Sequence, residues 1–258
     1  LDNGYRPAGL IQLSTTTGPA PQYLQDFGNT VAVGTTTHHL TMYKAPSGAL
    51  VFGAGTIQWA WGLDANHDGV AAPADARMRQ ATVNLLADMG ATAATLVGGI
   101  SPAAKSTDAT APTAVITTPA SGGSLSQGSQ VTISGNATDA GGGTVAAVEV
   151  TLDGGASWHP AAGRNSFTYT GVLAGTGPSA IQVRAIDDSA NIQSPATTLP
   201  AAVNCPCSIF GSTVPGTPAA ADTGAVTLGM KFTSSANGFL TGLRFYKGAG
   251  NTGTHTGT

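Results

Sequence analysis

The chain has 258 residues, with 10 Lys and Arg against 13 Asp and Glu for a net charge of −3, and only 9% of its side chains are charged. With no basic run or patch it gives nucleic acid no electrostatic footprint, and no apolar stretch approaches the roughly 20 residues needed to span a membrane. The length suits two or three domains, and the Ala, Gly, Thr and Val bias suits β-rich extracellular modules better than a helical cytoplasmic enzyme.

The chain opens on Leu1-Asp2-Asn3-Gly4 and stops in the run "GAGNTGTHTGT". It reads as a piece of a longer polypeptide, whose remainder is its first partner and whose export signal would lie upstream. Three segments separate. The first, residues 1–100, ends at "GGISPAAKSTDATAP", which has linker chemistry. The second covers 109–203, and the third, 205–258, is truncated.

In the first segment "GLIQLS", "TVAV", "HLTMY" and "ALVFGAG" are expected as strands broken by Gly, Pro and Thr-rich turns. Ile57, Trp59 and Trp61 share one face if extended, a face read as core rather than as a sugar-stacking platform. His38 and His39 would point to opposite faces of a strand and so do not jointly hold a metal; each reads as a satisfied or surface histidine. "DARMRQATVNLLADMG" predicts a helix, with Met78, Val83, Leu86 and Met89 near helical spacing, Asp75 at its N-cap and Gly90 after its end.

Between these elements lies "GLDANHDGVAAPAD", residues 62–75. Asp64, Asn66, Asp68, the Val70 carbonyl and Asp75 fall on positions 1, 3, 5, 7 and 12 of a calcium loop, with Gly69 at position 6. Against calcium, position 12 is Asp rather than the longer Glu, and a strand rather than a helix precedes the loop. A turn at residues 66–69 followed by a helix cap explains the same residues, and that reading is preferred.

"HHLTMYKAPSGALVFGAGTIQWAWGLD", followed by "RQATVNLLADMG", resembles the C-terminal end of proteins similar to the large (β) subunit of N,N-dimethylformamidase, over residues 5–95. The resemblance implies an α/β domain of class I glutamine-amidotransferase type and an iron held by tyrosine and glutamate. Residues 1–100 contain no glutamate, so that iron site does not map onto them.

The second segment reads as an immunoglobulin-like sandwich, similar to bacterial Ig-like modules of secreted proteins. "PTAVITTP" opens it, "QVTISGNATD" is its second strand, "VAAVEVTLDGGASWHPA" a hairpin, and "SFTYTGVL" and "AIQVRAIDDSANI" its later strands. Alternation in "VAAVEVTL" predicts Ala146, Val148, Val150 and Leu152 on the inner face and Val145, Ala147, Glu149 and Thr151 on the other. Asp153-Gly154-Gly155 supplies the turn, and Trp158 is expected to fold over the core. "TLDGGASW" fits the Asp-box of sialidase propellers, which braces a hairpin without doing chemistry; a single copy argues against a glycosidase. Asp187, Asp188 and Asn191 allow a calcium ion between sandwich domains, but a plain turn is preferred.

The third segment closely resembles the first half of a β-rich bacterial domain of unknown function, from Cys205 to Thr258. Val226, Leu228, Met230 and Phe232, then Phe239, Leu243 and Phe245, form an apolar hairpin face, and Arg244 and Tyr246 share the opposite parity. Those two are candidate contacts to a sugar or surface polymer, weighed against a solvated strand face. Cys205 and Cys207 make half a zinc site at most; no functional role is expected of them within this stretch, with pairing to a downstream Cys as the alternative.

No Gly-x-Ser-x-Gly, His-Glu-x-x-His or phosphate-loop motif occurs. The chain is therefore expected to be mainly β and multidomain: a partial amidotransferase-like α/β segment with one clear helix, an Ig-like β-sandwich and a truncated β-module. Its expected place is extracellular or at the cell surface, its expected role non-catalytic spacing with attachment to carbohydrate or a surface polymer, and calcium its one candidate cofactor. The alternative is the C-terminal part of an amide or glycan hydrolase whose active site lies upstream.

Overall fold

The structure, a computed structural model, describes residues 6–69 and 72–204, with 214–217, 229, 231, 242, 245–248 and 252–254 beyond. In the first segment β1 (Ile11–Gln25) and β2 (Thr30–Lys44) form one long antiparallel hairpin, and β3 (Leu50–Gly53) pairs with β2. The expected strands "TVAV" and "HLTMY" are thus one continuous strand, because Gly34 to Thr37 pair across the hairpin with Thr17 to Ala20 instead of turning. Pro19 and Pro21 are tolerated because β1 is an edge strand with a register shift between Ala20 and Tyr23, where a missing N–H breaks no central ladder. The far end of the hairpin leaves Leu24, Phe27, Val31 and Val33 exposed.

Helix α1 (Ala76–Asp88) begins and ends where the cap chemistry predicts. Asp75 accepts a hydrogen bond from the Arg77 amide at 2.8 Å, and Gly90 takes φ +86° just beyond the end. Its inward face differs from the expected one: Ala87 is buried and Leu85 packs on the apolar cluster beneath, whereas Leu86 and Met89 are both exposed.

A second correction concerns Ile57, Trp59 and Trp61. They do not share a strand face, because Trp59–Gly62 is a 3-10 turn and Ile57 is 99% exposed. Trp59 meets Phe52 edge-on at 5.3 Å and donates through Nε1 to Thr82 Oγ1 of α1 at 3.1 Å; Trp61 stacks on His67 at 4.8 Å. Each indole body finds an aromatic partner, and that of Trp59 also gains an acceptor on the helix.

The second segment is a two-sheet sandwich. One sheet, in the order β4-β6-β10-β9, comprises β4 (Thr113–Thr118), β6 (Gln130–Thr138), β9 (Ala162–Gly163) and β10 (Ser166–Val172). The other, β12-β11-β7-β8, comprises β7 (Val145–Thr151), β8 (His159–Pro160), β11 (Gln182–Asp187) and β12 (Thr197–Thr198). A short parallel pair, β5 (Ser124–Ser126) with β13 (Ala202–Asn204), closes one margin. Ile133, Val148, Val150, Phe167, Leu173, Ile181 and Val183 fill the space between the sheets.

The alternation expected of β7 holds only in part. Ala147 pairs with Ile186 and Val145 with Asp187, so Ala146 is an extra residue without a partner, a β-bulge. One extra residue inverts parity. Val145 therefore joins the inner core, and Ala146 faces outward into a second cluster with Ile11, Met42, Ile186 and Ala190. That cluster joins the segments: Ile11 and Met42 are opposed across the base of the long hairpin and sit on the outer face of the sandwich. The outer face of β7 is consequently dry, with Glu149 1% and Thr151 0% exposed.

Candidate functional site

The chemistry-bearing side chains gather at three places. The first is the junction between the segments. Glu149, the chain's only glutamate, accepts hydrogen bonds at Oε1 from Arg6 Nη2 and the Gly9 amide, both at 3.2 Å, and at Oε2 from Arg184 Nε at 2.7 Å. A second Arg184 contact, from Nη2 at 2.6 Å, reaches the same oxygen, Oε2. Arg184 also lies 4.0 Å from the centre of the Trp158 ring. Trp158 thus covers the guanidinium on the outer face and is not part of the inner core, because it finds there a charged plane to stack on. The junction also lines a cleft of about 560 Å³ with Arg6, Gln12, His39, Glu149 and Arg164, and Arg6 Nε is buried there without an acceptor.

The donor set speaks against the iron implied by the dimethylformamidase resemblance. The one carboxylate available as the glutamate ligand is engaged by two guanidinium groups and an amide. The histidines of β2 are occupied as well: His38 Nε2 lies 2.7 Å from the Ala54 carbonyl, and His39 Nδ1 lies 2.8 Å from Gln12 Nε2.

The second place is the hairpin between β7 and β8, where the Asp-box residues act as a brace. Asp153 Oδ1 accepts from Thr151 Oγ1 at 2.7 Å and the Ser157 amide at 2.9 Å, Asp153 Oδ2 accepts from Ser157 Oγ, and Gly155 N donates to Thr151 Oγ1 at 2.9 Å. Gly154 and Gly155 both take positive φ, which the tight turn requires. Burial alone would raise the Asp153 carboxyl, but hydrogen bonds from Ser157 and Thr151 and from the Ala156 amide outweigh it and hold the group below its ordinary value.

The loop whose spacing matches a calcium loop, and for which a turn and cap are preferred from sequence, is organised locally as a turn and a cap. Asp64 Oδ1 accepts from the Asn66 amide at 2.8 Å, and Asp68 is exposed. Asp75 is engaged at both oxygens by Arg77, at 2.8 Å from its amide and 2.6 Å from Nη2; the side-chain hydrogen bond is the main reason its carboxyl falls to about 2. Among the described residues, Asp64, Asp68 and Asp75 are not drawn into a common group of ligand atoms. Val70 and Arg244 lie outside the described residues, as do Cys205, Cys207, Val226, Leu228, Met230, Phe232, Phe239 and Leu243; Phe245 and Tyr246 are both exposed.

The third place, at one end of the sandwich, does draw carboxylates together. Asp108 precedes β4, Asp139 follows β6, Asp187 ends β11 and Asp188 begins the turn after it. Ligand atoms of Asp108, Asp187 and Asp188 lie within 4.8 Å of one another. Sequence reading weighed calcium at Asp187, Asp188 and Asn191 and preferred a turn, and it did not single out Asp108 or Asp139. Their one local signal is a small-residue context, "TDATAP" and "TDAGGG", which by itself reads as linker and turn.

Three family models match successive parts of the chain. Residues 1–71 match an N,N-dimethylformamidase β subunit-like C-terminal domain, 112–183 a bacterial Ig domain, and 212–258 a domain of unknown function (DUF4082). Among solved structures, the fibronectin(III)-like modules of Clostridium thermocellum CbhA are similar over 36% of this chain at 22% identity, with a TM-score of 0.28. This chain spans less than half, 46%, of that structure. No curated protein matches it.

Proposed function

We propose that the chain is a non-catalytic spacer and attachment element of an extracellular multidomain protein. The observation that carries the reading is the junction. The first segment and the Ig-like sandwich share the apolar cluster of Ile11, Met42, Ala146, Ile186 and Ala190, and the ion pairs of Arg6 and Arg184 with Glu149. Two domains that share buried surface hold a fixed relative orientation, whereas a bare linker permits free motion. A spacer that presents its neighbours at a set distance needs such a joint.

Attachment has weaker but specific support. The junction cleft offers the donors of Arg6, Gln12 and Arg164, which suit the hydroxyl and carboxylate acceptors of a polysaccharide, and Tyr246 is an exposed aromatic of the third segment. A second reading, a supporting part of an amide hydrolase, is favoured by the match of residues 1–71 to the dimethylformamidase-like domain.

The test is one purified chain in two assays. Binding to a glycan array that is lost in an Arg164→Ala, Tyr246→Ala double variant, together with no hydrolysis of formamides or glycosides, supports the spacer and attachment reading. Turnover that disappears on substituting a residue of this chain overturns it in favour of the hydrolase. An array without binding removes attachment and leaves the spacer role to the junction variants described below.

A further inference from the structure

Four carboxylates converge at the end of the sandwich that faces the linker. Asp108 and Asp139 are each held at one oxygen, and Asp187 and Asp188 at both. Asp108 Oδ1 accepts from the Thr110 amide at 3.0 Å, and Asp139 Oδ1 from the Gly141 amide at 3.0 Å. Asp187, with no exposed surface, accepts at Oδ1 from the Ser189 and Asn191 amides at 2.9 and 2.8 Å, and at Oδ2 from Asn191 Nδ2 at 2.8 Å. Asp188 accepts from the Thr144 amide at 3.1 Å and from Thr144 Oγ1 at 3.3 Å.

The two oxygens left over, Asp108 Oδ2 and Asp139 Oδ2, face the same small space as Asp188 Oδ1. Asp108 Oδ2 and Asp139 Oδ2 are both buried from solvent and accept no hydrogen bond. A buried carboxylate oxygen without a donor is costly, and a native fold rarely keeps two side by side without something between them. Gly143 shows where they aim. A methyl placed on its Cα would touch Asp188 Oδ1 and stand 2.8 Å from Asp108 Oδ2 and 3.0 Å from Asp139 Oδ2. Oxygens from three separate chain segments thus surround one small space, and the glycine leaves it open. Among the described residues, no Lys or Arg forms an ion pair with any of the four; Lys44 donates to Asn191 Oδ1 at 3.4 Å.

We infer that Asp108, Asp139, Asp187 and Asp188 bind a calcium ion that ties the linker to the end of the sandwich. An all-oxygen, carboxylate-rich donor set selects a hard cation and disfavours zinc or copper. Calcium accepts irregular arrangements of six to eight oxygens, whereas magnesium demands a near-ideal octahedron and keeps most of its water. Asp108 is the linker's contribution, so the ion fixes the path of residues 101–112, where Ser106 already bonds the Asp88 carboxylate through its amide and Ser189 through its hydroxyl. The site is independent of whatever the chain attaches to.

The experiment is calcium titration of the whole chain by calorimetry, with thermal melting and limited proteolysis in calcium and in EDTA. One ion is expected to bind with a dissociation constant on the order of 0.1–1 mM or tighter, as in extracellular modules. Calcium should raise the melting temperature and slow cleavage within residues 101–112, and magnesium at equal concentration should do neither. Asp139→Asn with Asp188→Asn should weaken binding at least about tenfold, and Gly143→Ala, which keeps all four carboxylates and only fills the space, should do the same. Asp64→Ala with Asp68→Ala should leave binding unchanged. No binding by the whole chain up to 10-fold above the expected range (about 10 mM) overturns the inference, as does binding that survives both site variants or that the loop variant abolishes. If the site variants fail to fold, protection of residues 101–112 by calcium in the unsubstituted chain decides: present, it upholds the site; absent, it removes it.

Discussion

Arg6 and Glu149, 143 positions apart in sequence, meet at 3.2 Å where the first segment lands on the outer face of the sandwich. The contact places a charge from the first segment against the dry face of the sandwich. Glu149 is buried, while the side chains of Arg6 and Arg184 keep 16% and 17% of their exposure.

Glu149→Ala leaves two guanidinium groups facing each other with no counter-charge. Breaking a buried pair costs about 3–5 kcal/mol, and the residual exposure of the arginines favours the lower end of that range. Denaturant unfolding should show this loss. Replacing all three groups together, as Arg6→Met, Glu149→Leu and Arg184→Leu, should recover most of it, since no unpaired charge remains. A loss below about 1 kcal/mol for Glu149→Ala would mean the pair behaves as a surface contact.

Ile11→Ala tests the apolar half of the same joint. Ile11 is buried only because the sandwich covers it, so the cavity should cost about 2–5 kcal/mol. Hydrogen exchange should quicken at the base of the β1–β2 hairpin and stay slow in β6 and β10, whose core is separate. Equal acceleration in both places would show that the two segments unfold as one unit.

The Asp153 brace gives a pH signature. Its carboxyl is held below 3.8 in the folded chain, so its stabilisation is fully present above that value and is lost as pH falls through the lower folded one. The stability difference between the unsubstituted chain and Asp153→Asn should therefore shrink as the pH falls from about 5 to below 3.8. Asp153→Ala, which strands Thr151 Oγ1 and the Ser157 amide, should cost about 1–3 kcal/mol at neutral pH. A difference that grows on acidification would reverse the sign argued here.

Local chemistry made much of this chain legible in its sequence. The helix from Ala76 to Asp88 follows from Asp75 and Gly90, and the β7–β8 turn from Asp153-Gly154-Gly155, because a cap or a tight turn is decided by residues a few positions apart. The sandwich strands follow from alternation for the same reason. Tertiary structure decided what local pattern cannot carry. Parity at Val145 and Ala146 was inverted by a bulge opposite Ile186 and Asp187, and Gly34 to Thr37 became strand because a distant partner was in register. The helix turned Leu85 inward and left Leu86 out, because the surface beneath it is an apolar cluster assembled from both segments, Ile11 and Met42 with Ala146, Ile186 and Ala190. The carboxylate group is the sharpest instance: Asp108, Asp139 and Asp188 come from a linker, a strand end and a turn, each ordinary where it stands. Only the closure of the sandwich brings their charges to one point, since charges that repel along a free chain are held together only when packing elsewhere fixes the backbone that carries them.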